Sequence, residues 1–275
     1  VNIYSAFLQN EWKNDRWGIL IGGRLDKHNM VDNVIFSPRA NLRFNPTQNI
    51  NLRLSYSSGF RAPQAFDEDM HIENVGGTVA MIERAKDLKE EKSQSFSASA
   101  DMYHRFGAFQ TNLLIEGFYT RLTDVFVLGE PYDRGDGILV KTRSNGPGAK
   151  VMGLTLEGKV AYLSILQIQA GLTLQRSRYD EPHKWHDDAP AEKKIFRTPD
   201  TYGYFTATCT PIKPLSIALS GTYTGRMLVQ RMDITAENAE LGEMPERKAE
   251  AIRTPRFFDL GVKLAYDFKL YKTVD

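Results

Sequence analysis

Asp67, Glu68, Asp69, His71 and Glu73 crowd four carboxylates and an imidazole into seven positions. That density of oxygen donors could hold a cation such as Ca2+. The run lacks the spacing of an EF-hand loop, and charge runs are most often solvated loop faces. A second group, His183, Trp185 and His186 with Asp187 and Asp188 behind it, sets two imidazoles three positions apart. It suits a contact to haem or to a metal, although three apart on a loop is not the spacing of a defined metal site. The cations Arg134, Lys141 and Arg143 form a third group, suited to an anionic ligand. No G-x-S-x-G, H-E-x-x-H or phosphate-loop pattern occurs, and no Ser-His-acid set assembles, so no enzyme is expected.

Composition narrows the frame that must position these groups. The net charge is +1 with 25% charged residues, and no basic stripe accompanies it, which excludes a nucleic-acid partner. Cys209 is the single cysteine, so no intrachain disulfide forms. No stretch approaches the 18 apolar residues of a membrane helix. A mean hydropathy of -0.40 still admits a membrane barrel, which gives only alternate residues to lipid.

Alternation of that kind is what the chain shows. In 149–163, Met152, Leu154, Leu156, Val160 and Tyr162 share one face of a strand, with Thr155, Glu157 and Lys159 on the other. Leu52, Leu54 and Tyr56 oppose Arg53, Ser55 and Ser57; Leu166, Ile168, Leu172 and Leu174 oppose Gln167, Gln169, Thr173 and Gln175; and Phe258, Leu260, Val262 and Leu264 oppose Asp259 and Lys263. Such runs last about 10 to 15 residues, longer than ordinary strands and long enough for a tilted membrane strand. Tyr4, Trp12, Trp17, Tyr56, Tyr162, Tyr223 and Tyr266 lie toward strand ends, as interfacial girdles do.

The connections alternate too. Short turns at 14–15, 45–48, 107, 163–164 and 211–214 interleave with long polar connections over 27–37, 61–92, 127–148, 179–199 and 230–254. A soluble sandwich has no reason to gather every long loop at one end, whereas an outer-membrane barrel has tight periplasmic turns and long outer loops. The expected fold is all-β, an antiparallel transmembrane β-barrel, with Arg39, Arg43 and Arg53 facing its lumen. About eleven strands are expected, an odd number where bacterial single-chain barrels have even ones. With 14–15 read as a periplasmic turn, the first strand enters from outside. Residues 1–275 are therefore expected to be a fragment of the barrel, lacking its first strands and also its last.

Motifs stand at the loop borders. Gly59-Phe60-Arg61-Ala62-Pro63, then Leu88-Lys89-Glu90-Glu91-Lys92-Ser93, resemble the G-F/Y-R-A-P and L-K-P-E-x-S/T signatures of TonB-dependent outer-membrane receptors, with Glu90 where proline is usual. Phe118 to Phe126 is similar to that family's F-Y-x-x-I-x-D-x-I strand end. Asn145, Gly146, Ala149, Gly153, Leu154 and Glu157 resemble its N-x-G-x-A-x-x-x-G-L-E-x-E element, with Thr155 where Glu is frequent, and Arg197-Thr198-Pro199 resembles a later strand entry. From the residues alone, Gly59 and Pro63 end strand pairing at the outer rim, and Arg61 fits loop anchoring better than ligand contact.

The resemblance implies part of a 22-stranded barrel closed by an N-terminal plug, which is not in this sequence. It implies uptake of a small metal-complex ligand of the ferric siderophore, haem or cobalamin class. Energy coupling would come through the TonB–ExbB–ExbD system, in the outer membrane of a Gram-negative bacterium, in contact with outer-membrane lipid and in some receptors a surface lipoprotein. The alternative is a passive porin or an adhesive surface barrel without a plug.

Overall fold

A computed structural model describes residues 2–63, 80–129, 132–135, 139–185, 189–235 and 246–268. Eighteen strands follow one another with no helix among the described residues. They are β1 (Ile3–Lys13), β2 (Trp17–His28), β3 (Ile35–Thr47), β4 (Ile50–Arg61), β5 (Ala80–Arg84), β6 (Glu91–Phe106), β7 (Phe109–Thr123), β8 (Phe126–Leu128) and β9 (Tyr132–Asp133). The second half holds β10 (Leu139–Asn145), β11 (Ala149–Tyr162), β12 (Leu166–His183), β13 (Glu192–Lys194), β14 (Thr201–Ile212), β15 (Leu215–Thr224), β16 (Leu228–Thr235), β17 (Glu246–Arg253) and β18 (Phe257–Tyr266).

Eleven of these make one antiparallel sheet in the order β1-β2-β3-β4-β6-β7-β11-β12-β14-β15-β18, with β13 added to β12. This is the expected number of long strands, and tight turns alternate along the path with longer connections, although the one expected over 27–37 is only the six residues 29–34 because β2 and β3 extend into it. The tight turns have local causes. Asn14 Oδ1 accepts from Arg16 N at 2.9 Å and Trp17 N at 2.7 Å, closing the β1–β2 turn as an Asx turn. Gly107 takes a φ of 58° between β6 and β7, in the left-handed region that glycine enters without steric cost.

Side-chain exposure separates the two faces. On β12, Leu172 and Leu174 are 43% and 49% exposed while Thr173 between them is 7% exposed, and Leu154 and Leu156 on β11 match the leucines. A membrane barrel has this character: apolar groups point away from the protein, polar groups point into the lumen and touch each other. Thr155 and Thr173, directly opposite, hydrogen-bond through their hydroxyls at 3.0 Å. A shallow trough of about 1220 Å3 lies on the apolar face, lined by residues that include Ile19, Leu54, Phe96, Leu154 and Leu174. Its floor is apolar, with Arg176 and Asp200 at its border, and it is the surface that acyl chains would cover.

The long connections differ from the plain polar loops expected of them. β5, β8, β9 and β10 form a second, four-stranded sheet, and β16 pairs with β17 as a hairpin. These strands are mostly too short for periodicity to reveal, and the β5–β10 pairing joins segments far apart in sequence.

Candidate functional site

All the long connections leave the sheet at one rim, and two of them are interlocked. β5, from the connection after β4, pairs in parallel with β10, from the connection after β7, and β10 also pairs antiparallel with β8 and β9. Ala85 N donates to Arg143 O at 2.8 Å at the end of the parallel pair. Below this loop sheet sits a polar bracket. Asn145 Oδ1 accepts from Lys89 N at 2.8 Å, and its Nδ2 donates to Lys89 O at 3.1 Å and Asp124 O at 2.8 Å. Gly146 follows because a Cβ there would stand 2.6 Å from Val127 Cγ1.

Arg61 belongs to the same bracket. It lies opposite Glu91 across β4 and β6, with Nη2 3.4 Å from Glu91 Oε2 and its guanidinium 4.8 Å from the centre of the Phe126 ring. Glu91 Oε2 also accepts from Phe126 N at 3.0 Å, and Phe126 pairs with Asn145. Arg61, Glu91, Phe126, Asn145 and Lys89 thus form one continuous chain of contacts. It converts the borders of two separate loops into a single rigid base, which is how recognition loops are held by a scaffold.

Farther down the lumen wall, Glu157 accepts from Tyr204 OH at 2.6 Å, Gln169 Nε2 at 3.1 Å and Lys159 Nζ at 3.1 Å. Asp101 accepts from Tyr103 OH at 2.8 Å and from Asn112 Nδ2. Arg53 donates to Asn51 Oδ1 at 2.7 Å. Of these contacts only Glu157–Lys159 is an ion pair; Arg53 is held by a neutral amide, and Arg43 Nε is buried with no hydrogen-bond partner among the described residues.

An interlocked set of loops on one rim of a sheet that is apolar on one face and polar on the other is the layout of an outer-membrane barrel wall. The sequence matches the family described as TonB dependent receptor-like, beta-barrel, over residues 1–275. The chain belongs to this family. Its members are outer-membrane β-barrels. The fold is shared with solved structures at low identity. These include the siderophore receptor PirA from Acinetobacter baumannii, at a TM-score of 0.67 and 15% identity over 98% of this chain and 40% of that one. The ferric enterobactin receptor PfeA from Pseudomonas aeruginosa matches at 0.67 and 16%, over 98% and 38%. The FrpB iron transporter from Neisseria meningitidis matches at 0.64 and 17%, over 96% and 38%. The chain thus spans about two-fifths of the length of these receptors. A comparison with curated proteins finds no match.

Within this receptor barrel the sequence-predicted residues have distinct places. Arg61 is in the bracket. Arg134 is on the surface of the loop sheet, its Nη1 3.0 Å from Glu83 Oε1. Arg143 is 1% exposed inside the loop sheet, so its guanidinium faces protein and not the space above the rim. Its polar sequence neighbours gave no sign of this. His183 ends β12 half-buried, its ring 5.6 Å from Tyr179, and burial lowers its pKa from the ordinary histidine value. Trp185 meets Phe196 edge-on at 6.4 Å. Asp67, Glu68, Asp69, His71, Glu73 and His186 lie outside the described residues. Among the described residues no group of three His, Cys, Asp or Glu is placed to hold a metal ion. Asn145 and Glu91, the centre of the bracket, stand in the motifs at the loop borders, and nothing in their type or spacing marks them as site residues.

Proposed function

We propose that this chain forms the wall and outer rim of an energy-coupled receptor in the outer membrane of a Gram-negative bacterium, taking up a scarce metal complex too dilute for passive pores. The observation that carries this reading is the interlocked rim: the chain fixes two long loops to each other and to the wall, where a passive pore needs only an open mouth. A ferric siderophore is the favoured ligand within the siderophore, haem and cobalamin class, since PirA and PfeA are siderophore receptors and FrpB is an iron transporter. Exposed Arg134 on the loop sheet and His183 beside the connection after β12 are the side chains that a negatively charged complex would meet. Coupling would run through a plug and the TonB–ExbB–ExbD system.

The test replaces residues 64–79 in the full-length receptor by a glycine-serine linker of equal length, which leaves β5 and its pairing with β10 in place. Capture of radioiron-labelled ferric enterobactin and of a hydroxamate complex by whole cells, normalised to surface abundance, is expected to weaken at least about tenfold, or about 1.4 kcal/mol. Unchanged affinity would remove this loop from the site. Absence of saturable binding of any ferric siderophore by the unaltered receptor, with haem or cobalamin bound instead, would overturn the choice of ligand.

A further inference from the structure

Above the apolar band on the lipid-facing side, the strand register places cations in a row. Lys150 on β11 lies directly opposite Arg121 on β7, Arg178 on β12 lies directly opposite Lys150, and Lys194 on β13 directly opposite Arg178. Arg176 continues the outward series Leu172, Leu174, Arg176 and Arg178, all four exposed, while Thr173 and Ser177 between them are buried toward the lumen. Directly opposed side chains on neighbouring strands have Cβ atoms about 4.5 to 5.5 Å apart, and like charges so placed repel. Four opposed cations on consecutive strands therefore call for counter-charge.

The described residues supply only part of it. Asp180 bridges Arg121 at 2.7 Å and Lys150 at 3.8 Å, and Asp200 holds Lys194 at 2.6 Å. The side chains of Arg176 and Arg178 make no hydrogen bond or ion pair with a described residue. Arg178 instead lines a recess of about 300 Å3 with Lys193, Lys194 and Arg253, walled by Leu228 and Ala251 and with Glu192 as its one acid. One step nearer the waist, the register row through Tyr56, Phe96, Tyr119 and Met152 is aromatic and apolar, and it leads to Arg176. An apolar row for acyl chains beneath unmatched guanidinium groups has the layout of a lipid laid against the wall with its headgroup anion uppermost.

We propose that Arg176, Arg178 and Lys150, with the recess beside them, bind the phosphate of a phosphorylated outer-leaflet lipid, at a site on the outside of the barrel and separate from the ligand path through its lumen. Two guanidinium groups can each present a fork of N–H donors to phosphate oxygens, and the lipid-side position favours an anion that carries its own acyl chains.

The experiment is native mass spectrometry of the full-length protein in neutral detergent micelles doped with phosphatidic acid or phosphatidylcholine, or supplied with inorganic phosphate. The wild type is expected to retain phosphatidic acid at least about tenfold better than phosphatidylcholine, and the triple variant Arg176→Gln, Lys150→Gln, Arg178→Gln to lose that advantage. Lys27→Gln, another cation of the outer rim but far along the sheet, should keep it. Heat-modifiable mobility on a gel verifies that each variant is folded; should the triple variant fail, Arg176→Gln alone, exposed and without a described partner, carries the comparison. Equal retention by wild type and variant, or equal retention of the two lipids, overturns the site. Inorganic phosphate binding as tightly as phosphatidic acid overturns its assignment to a lipid.

Discussion

Asn145→Ala removes the centre of the rim bracket and nothing else. The side chain makes three hydrogen bonds, one accepted from Lys89 N and two donated to Lys89 O and Asp124 O, at 2.8 to 3.1 Å. Each such bond has a net worth of about 0.5 to 1.5 kcal/mol, and the two to Lys89 are exposed enough for water to replace them, so the sum is about 1 to 3 kcal/mol. That energy is local. It holds the segment after β5 against the end of β10, while β11 and β12 keep their full ladder. The open population of the loop sheet should accordingly rise about 5- to 150-fold. Hydrogen exchange of the full-length protein reads this directly: amides of 81–88 and 140–145, including Ala85 N on Arg143 O, should lose protection by that factor while 150–174 do not change. Asn145→Asp keeps the acceptor for Lys89 N but sets a carboxylate oxygen against the Lys89 and Asp124 carbonyl oxygens, so its effect should be at least as large as that of alanine. Unchanged exchange in both loop segments would refute the bracket, and a uniform loss across the barrel would show that Asn145 stabilises the wall and not the rim.

Two further perturbations test the faces of the sheet and its outer edge. Leu154→Arg places a cation on the lipid side and should cost about 2 to 4 kcal/mol near the bilayer midplane, while Thr155→Arg, turned to the lumen, forfeits one hydroxyl pair and should cost about 1 kcal/mol or less. Equal penalties on refolding into bilayers would reject the face assignment. His183 has its pKa lowered by burial in the folded rim, so its contribution is complete above the ordinary histidine value near 6.5 and is lost as pH falls through the lowered folded value. Hydrogen exchange of 179–185 should therefore quicken on acidification from about pH 7 to about pH 5, and His183→Phe should remove most of that dependence. A pH response unaltered by the substitution would dismiss the histidine as its source.

What could be read from the sequence was whatever repeats with period two. The alternation over 149–163 marks β11, and the break at Leu163-Ser164 marks its turn, because lipid on one side and a wet lumen on the other impose opposite demands on successive side chains. The loop sheet was hidden for the converse reason. β5 has five residues and β9 two, and the parallel partner of β5 lies beyond two intervening wall strands. Nothing in Leu139 to Asn145 distinguishes Arg143, buried, from Lys141, because burial there comes from β5 and β8 on either side and not from any pattern within β10.

Sites on this fold depend on register, and register combines residues that sequence keeps apart. Glu157 and Tyr204 are 47 positions apart and meet because β11, β12 and β14 stand side by side: Glu157 lies opposite Gly171 and Gly171 opposite Tyr204. The tyrosine can cross only because Gly171 has no side chain; a Cβ there would stand 2.6 Å from the Tyr204 ring. The same holds on the lipid side. Arg121, Lys150, Arg178 and Lys194 each look like an ordinary polar residue just beyond a strand's apolar core, and only the shared register shows that they stand shoulder to shoulder. A chain under no demand but solubility would scatter such charges or alternate their sign, as cross-strand pairing favours. Four in one row, with Arg178 among them and Arg176 beside it left without a side-chain partner among the described residues, are accounted for under this proposal by an anion outside the protein, and a lipid is the anion-bearing molecule that this face would meet.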